Sequence, residues 1–88
     1  MNQDDVDKYA RREPFRPFRL VLTTGAVLDV HHPDLIMVGR RSAVLGISKR
    51  AGGTAYDRTV DVDLMHIVTA DEIPEANAPS NGTEAMTA

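Results

Sequence analysis

The residues of this chain best suited to metal or proton chemistry are its three histidines and its scattered carboxylates, and their spacing limits what they can do. His31 and His32 precede Asp34, and His66 approaches them only if the later strands close, so imidazole and carboxylate could in principle meet around an ion. Adjacent residues on a strand point to opposite faces, however, which keeps His31 and His32 from gripping one ion. His32 beside Pro33 reads instead as part of a turn. Asp61 and Asp63 lie two apart and therefore share one face of a strand, the placement of a carboxylate pair for acid–base work. Their alternation with Val60 and Val62 makes that face the solvent side, which argues against catalysis.

Nucleophile motifs are missing as well. Ser42, Ser48 and Ser80 lie in no Gly-x-Ser-x-Gly elbow, and Lys49-Arg50-Ala51-Gly52-Gly53-Thr54 lacks the order of a phosphate-binding loop. The absence of cysteine excludes disulfides, thiolate metal sites and cysteine nucleophiles. The expectation is of a protein that is not an enzyme, holds no metal or cofactor and has no evident small-molecule substrate.

Recognition chemistry rests on arginine. Arg40 and Arg41 fall in a predicted turn, Lys49 and Arg50 in a predicted loop, and Arg16 and Arg19 at the start of the first strand. Guanidinium forks at a turn can hold phosphates, and a basic loop can follow a nucleic-acid backbone. All ten basic residues lie between Lys8 and Arg58, where only Glu13, Asp29, Asp34 and Asp57 oppose them, leaving that stretch at +6 within a chain of net charge -3. The competing reading is that the acidic strand around Asp61 and Asp63 folds beside the basic ones and neutralises them. The aromatic platform on which single-stranded bases stack is thin: two Phe, two Tyr and no Trp, with Tyr56 alone near the basic loop.

The elements that would position these groups follow from periodicity. Asp4 to Arg12 is a predicted helix, with Asn2 or Asp4 as cap, acids in the first turn, bases in the last and an apolar stripe of Val6, Tyr9 and Ala10. Pro14 ends it, and Phe15 and Phe18 in the Pro14–Phe18 segment are expected to pin the helix onto the sheet. From Phe18 the period becomes two: Phe18, Leu20 and Leu22, a turn at Thr24-Gly25, then Ala26, Leu28 and Val30, a β-hairpin. His32-Pro33-Asp34 breaks the pattern, Leu35–Val38 is a third strand, Gly39–Ser42 a polar turn and Ala43–Ile47 a fourth strand. Ser48–Asp57 is expected to be an exposed loop. Val60, Val62 and Leu64 mark another strand, followed by a tight turn at Leu64–His66 and a last strand over Ile67–Ile73.

The expected fold is therefore mainly β: a small antiparallel barrel of five to six strands within one domain over residues 1–74, with a short N-terminal helix plugging one open end. Residues 75–88 are small and polar and are expected to be a disordered tail. A chain with roughly 70 ordered residues buries only about 60% of its unfolded surface, so its core is thin and self-association would help it. The N-terminal stretch is acidic and lacks an apolar h-region, and the longest aliphatic run, Leu35–Val38, is far too short to span a membrane. A cytoplasmic location is the default expectation.

The segment Pro14-Phe15-Arg16-Pro17-Phe18-Arg19-Leu20, the hairpin Gly25, His32-Pro33 and Val38-Gly39-Arg40-Arg41-Ser42 together resemble a family of short, uncharacterised bacterial proteins sharing a PFRPFRL, HP and VGRRS pattern. The likeness spans Glu13 to Ile73 and implies no activity. In arrangement, a helix followed by five strands with a tight turn before the last also resembles the Sm-like and SH3-like small barrels. Sm-like proteins use an asparagine in one loop and an Arg-Gly pair in another for RNA; Val38 and Asp63-Leu64 stand where these would fall, so the likeness transfers no RNA-binding residue.

The leading functional expectation is a non-enzymatic module that binds another protein, or a copy of itself, through an exposed strand edge. The alternative is a nucleic-acid-binding small barrel using Arg40, Arg41, Lys49 and Arg50, with Arg16 and Arg19 in support.

Overall fold

The computed structural model describes residues 1–48, 54–73 and, for the backbone, 85–87. Helix α1 (Gln3–Ala10) begins at a capping box: the Asn2 side chain accepts from the Asp5 backbone N–H, and the Asp5 carboxylate accepts from the Asn2 N–H. Its buried face is Val6 and Ala10, both fully covered. Tyr9 contributes a ring 5.5 Å from Phe18, and Phe15 meets the same ring at 6.1 Å, so the aromatic residues do fasten the helix to the first strand.

β1 (Phe18–Leu22) and β2 (Val27–Val30) form the expected hairpin, turning at Gly25 with φ 89°, a value that glycine adopts at no steric cost. A 3-10 turn over Pro33–Leu35 leads to β3 (Ile36–Val38), so Leu35 belongs to the turn rather than to the strand. β4 (Ser42–Ile47) and β5 (Arg58–Asp63) follow, then a second 3-10 turn, Leu64–His66, and β6 (Ile67–Glu72). β1 pairs antiparallel with both β2 and β6, while β4 pairs antiparallel with β3 and β5.

The expected closed barrel is not what forms. The strands make two small sheets, β6-β1-β2 and β3-β4-β5, with no continuous strand bending from one into the other. The reason lies in His32-Pro33: Pro33 has no N–H for a ladder and starts a 3-10 turn, which separates β2 from β3 where a small barrel would carry one long bent strand. With no closed end to plug, α1 lies against β3. Arg11 at its C-terminal end reaches the Pro33 and Ile36 carbonyls at 3.5 Å.

The core lies between the sheets and the helix. Phe18, Leu20, Leu28 and Val30 come from the first sheet, Ile36, Ala43, Leu45, Ile47 and Val62 from the second, and Leu64 and Ile67 from the corner joining them. A second correction concerns the C-terminus. Ala85–Thr87 form a short strand, β7, that pairs parallel with the outer side of β2, in the register Val27↔Ala85, Leu28↔Met86 and Asp29↔Thr87. The rest of the expected tail lies outside the described residues, as do Lys49 and Arg50. No helix among the described residues is long and apolar enough to cross a membrane.

Candidate functional site

The register of the hairpin settles the fate of Arg19. The Leu22 N–H donates to the Ala26 carbonyl at 2.9 Å, and counting back three residues on each strand puts Arg19 directly opposite Asp29. The guanidinium grips the carboxylate with two bonds, Nε at 2.7 Å and an Nη at 3.0 Å. Asp29 is the one buried charged residue among those described, and its hydrogen bonds to Arg19 raise the guanidinium pKa against the opposing effect of desolvation. The spacing on either side of Thr24-Gly25 is the sequence signal that would have found this pair.

Arg16 is also occupied. Its guanidinium lies 3.3 Å from Glu72 at the end of β6, which also receives Arg12 at 3.1 Å. Hydrogen bonds from Arg16 and then Arg12 hold the Glu72 carboxyl below the ordinary glutamate range. Arg12 further sits 4.9 Å from the Tyr9 ring centroid, a cation–π contact, and Arg11 pairs with Asp7 on the helix at 3.8 Å. Asp29, Glu72 and Asp7 thus neutralise Arg19, Arg16, Arg12 and Arg11. Asp61 and Asp63, the acids singled out for that task, stay on the exposed face of β5, where Asp63 caps the second 3-10 turn by accepting from Met65 N–H at 2.9 Å.

Arg40 and Arg41 stand apart. Both are exposed in the turn between β3 and β4, and neither side chain has an ion pair among the described residues. The turn itself is fixed by Gly39 N–H donating to the Ser42 carbonyl and Leu64 N–H donating to the Arg41 carbonyl, each at 2.8 Å. This anchorage ties the turn to Leu64, just before β6, whereas Arg16 pairs with Glu72 at the far end of β6, a strand about 17 Å long at strand rise. Of the six basic candidates, the four that are described do not gather into one face: Arg19 is paired with Asp29, Arg16 with Glu72, and Arg40 and Arg41 lie in the β3–β4 turn. Tyr56 lays one side of its ring over Gly46, where an added Cβ would come within 2.9 Å of it, while the residue as a whole stays 58% exposed.

Two of the three histidines, His32 and His66, serve turns. His32 Nδ1 accepts from the Asp34 N–H at 3.1 Å and so caps the first 3-10 turn, and His66 Nδ1 lies 3.2 Å from Thr23 Oγ1. No group of three His, Asp or Glu side chains among the described residues could hold a metal ion.

The feature that residue-by-residue reading missed is the outer edge of β6. The Ile73 N–H donates to the Pro17 carbonyl, so the odd-numbered residues of β6 turn their backbone groups toward β1. Val68, Ala70 and Glu72 accordingly present N–H and C=O outward. Beside them Val68 is 55% exposed and Met65 82% exposed. No signal in the sequence distinguishes this edge from a paired one, because pairing partners are set by topology. A comparison with protein-family models finds no match, and searches of curated proteins and of solved structures likewise find none.

Proposed function

We propose that this chain is a non-enzymatic protein-interaction module that associates by strand addition at the outer edge of β6. The observation that carries the reading is the conjunction there of three outward-facing backbone positions with the exposed side chains of Val68 and Met65. Other edges are less available. β3 has three residues and lies against the helix, β5 carries Asp61 and Asp63 along its length, and the outer side of β2 is taken by Ala85–Thr87. β6 has neither proline nor lysine, and its charges, Asp71 and Glu72, are confined to its C-terminal end, with Glu72 already paired to Arg12 and Arg16.

Sedimentation velocity across a concentration series tests the proposal. Wild type is expected to associate, and Val68→Lys and Ala70→Pro each to shift it to monomer with an unchanged circular dichroism spectrum. Proline at 70 spares the β1 ladder because the Ala70 N–H faces outward. A wild-type protein that stays monomeric and finds no partner, or association that survives both substitutions, overturns the reading.

The exposure of Arg40 and Arg41, which have no ion pairs among the described residues, favours a second reading, in which the β3–β4 turn contacts a nucleic-acid backbone. Two phosphate contacts would give a log–log salt slope of about -2 in oligonucleotide anisotropy titrations. Arg40→Glu with Arg41→Glu should abolish that binding; binding that the double variant leaves unchanged refutes this reading.

A further inference from the structure

The strand β7 is an uncommon addition to this sheet. Among the described residues it is the one parallel pairing, it is three residues long, and it occupies the outer side of β2. The pairing polarity on β2 follows from the hairpin: Ala26, Leu28 and Val30 turn their backbone groups toward β1, so Val27 and Asp29 turn theirs outward. In the parallel register Leu28↔Met86, the backbone N–H and C=O of Met86 fall between those two outward positions. Val27 C=O and Asp29 N–H are therefore the groups that receive it.

So short a pairing is held by few hydrogen bonds, each contributing about 0.5–1.5 kcal/mol, and it is exchangeable. The length of chain leading to it also matters. Twelve residue steps separate Ile73, at the end of β6, from Ala85. Fully extended they reach about 40 Å. The path needed is shorter: about 14 Å for three strand spacings across the sheet and about 14 Å back along the strand, about 28 Å in all. The segment thus arrives at β2 with reach to spare, and nothing in its length confines Ala85–Thr87 to its own chain.

We propose that the outer edge of β2 is a strand-addition site whose occupant can be Ala85–Thr87 of a second copy, so that two chains exchange these strands reciprocally. The same backbone groups of Val27, Asp29 and Met86 serve within one chain or between two, and the exchange adds no new type of contact. The intramolecular pairing competes at an effective concentration on the order of millimolar, which sets the chain concentration at which exchange becomes populated. This site shares strand addition with the β6 reading but uses a different edge, so the two fail separately.

The chain has no cysteine, and Ala88→Cys therefore provides a single attachment point for a nitroxide next to the exchanging strand. The experiment mixes spin-labelled, unenriched chain with nitrogen-15-enriched wild type at a total concentration on the order of millimolar. Exchange is expected to broaden the Val27 and Asp29 amide resonances of the enriched chain in proportion to the labelled fraction. Met86→Pro in the spin-labelled chain, which removes the N–H that pairs with β2, should restore them. Broadening confined to Val68 and Ala70 would overturn the proposal and support association through β6 instead. Absence of broadening at every amide would overturn it as well, and Val27 and Asp29 broadening that persists with Met86→Pro would show that Ala85–Thr87 is not the occupant.

Discussion

Replacing Arg19 by methionine probes whether this arginine is structural or free to bind. The substitution keeps the length and most of the apolar stem but removes both hydrogen bonds to Asp29, the 2.7 Å and the 3.0 Å contact, and strands a carboxylate in the sheet. Exposed ion pairs contribute about 0.2–1 kcal/mol, whereas removing one partner of a fully buried pair costs about 3–5 kcal/mol. Here the Asp29 side chain is 9% exposed and that of Arg19 31%, which places the pair between these limits. Arg19→Met should therefore cost about 2 kcal/mol, a fall in Tm of roughly 8–16 °C for a domain of this size. Asp29→Val alone leaves a guanidinium that can still reach water and should cost about 1 kcal/mol. Combining the two removes the stranded charge, and the double variant is expected within about 1 kcal/mol of wild type, a coupling of about 2 kcal/mol. The assay is urea denaturation of the four proteins, read by circular dichroism at neutral pH. A loss below about 0.5 kcal/mol for Arg19→Met would refute the argument and return Arg19 to the set of candidate binding residues.

Other expectations follow from single contacts. Leu28→Ala, at a fully buried site between the sheets, should cost about 2–5 kcal/mol in the same denaturation assay, and a loss under 1 kcal/mol, the low side of about one Tm interval, would contradict the core described above. Gly46→Ala drives a methyl group into the Tyr56 ring and should cost about 1–3 kcal/mol, most of it recovered when Tyr56→Ala is added; a double variant no better than the single would show that the ring is not the obstacle. The folded-state pKa of Glu72 is lowered, so its stabilising contribution is complete above the unfolded value near 4.3 and is lost as the pH falls through the folded value. Glu72→Gln should consequently flatten the dependence of Tm on pH below about 4.3, and an acid profile identical to wild type would exclude the Arg12–Glu72–Arg16 cluster as its source. His32→Ala deletes the acceptor of the Asp34 N–H and should cost about 0.5–1.5 kcal/mol by thermal melting, while His32→Asn, which keeps an acceptor, should retain most of the stability; equal losses in both would rule out the capping role.

By itself the sequence determined the local elements, because each rests on chemistry confined to a few neighbouring residues. The cap at Asn2, the proline that stops the helix, the alternation through Phe18–Leu22, the glycine turn at Gly25 and the punctuation by His32-Pro33 act over distances the chain order already fixes. The hairpin also made the opposition of Arg19 and Asp29 derivable, since a known turn fixes its own register. Tertiary structure alone decided the rest. Whether the strands close into a barrel or stop at two sheets depends on what the interruption at Pro33 does to two elements at once, and whether Arg16 meets Glu72 depends on β6 returning beside β1 from fifty residues away in sequence, close to the 56-residue separation of that pair. The pairing of Ala85–Thr87 with β2 is of the same kind, as is the exposure of Val68 on an unpaired edge. Alternation shows which side of a strand is apolar, but it carries no information about which backbone edge finds a partner: every residue has the same N–H and C=O, and only the packing of distant segments determines which of them are left open.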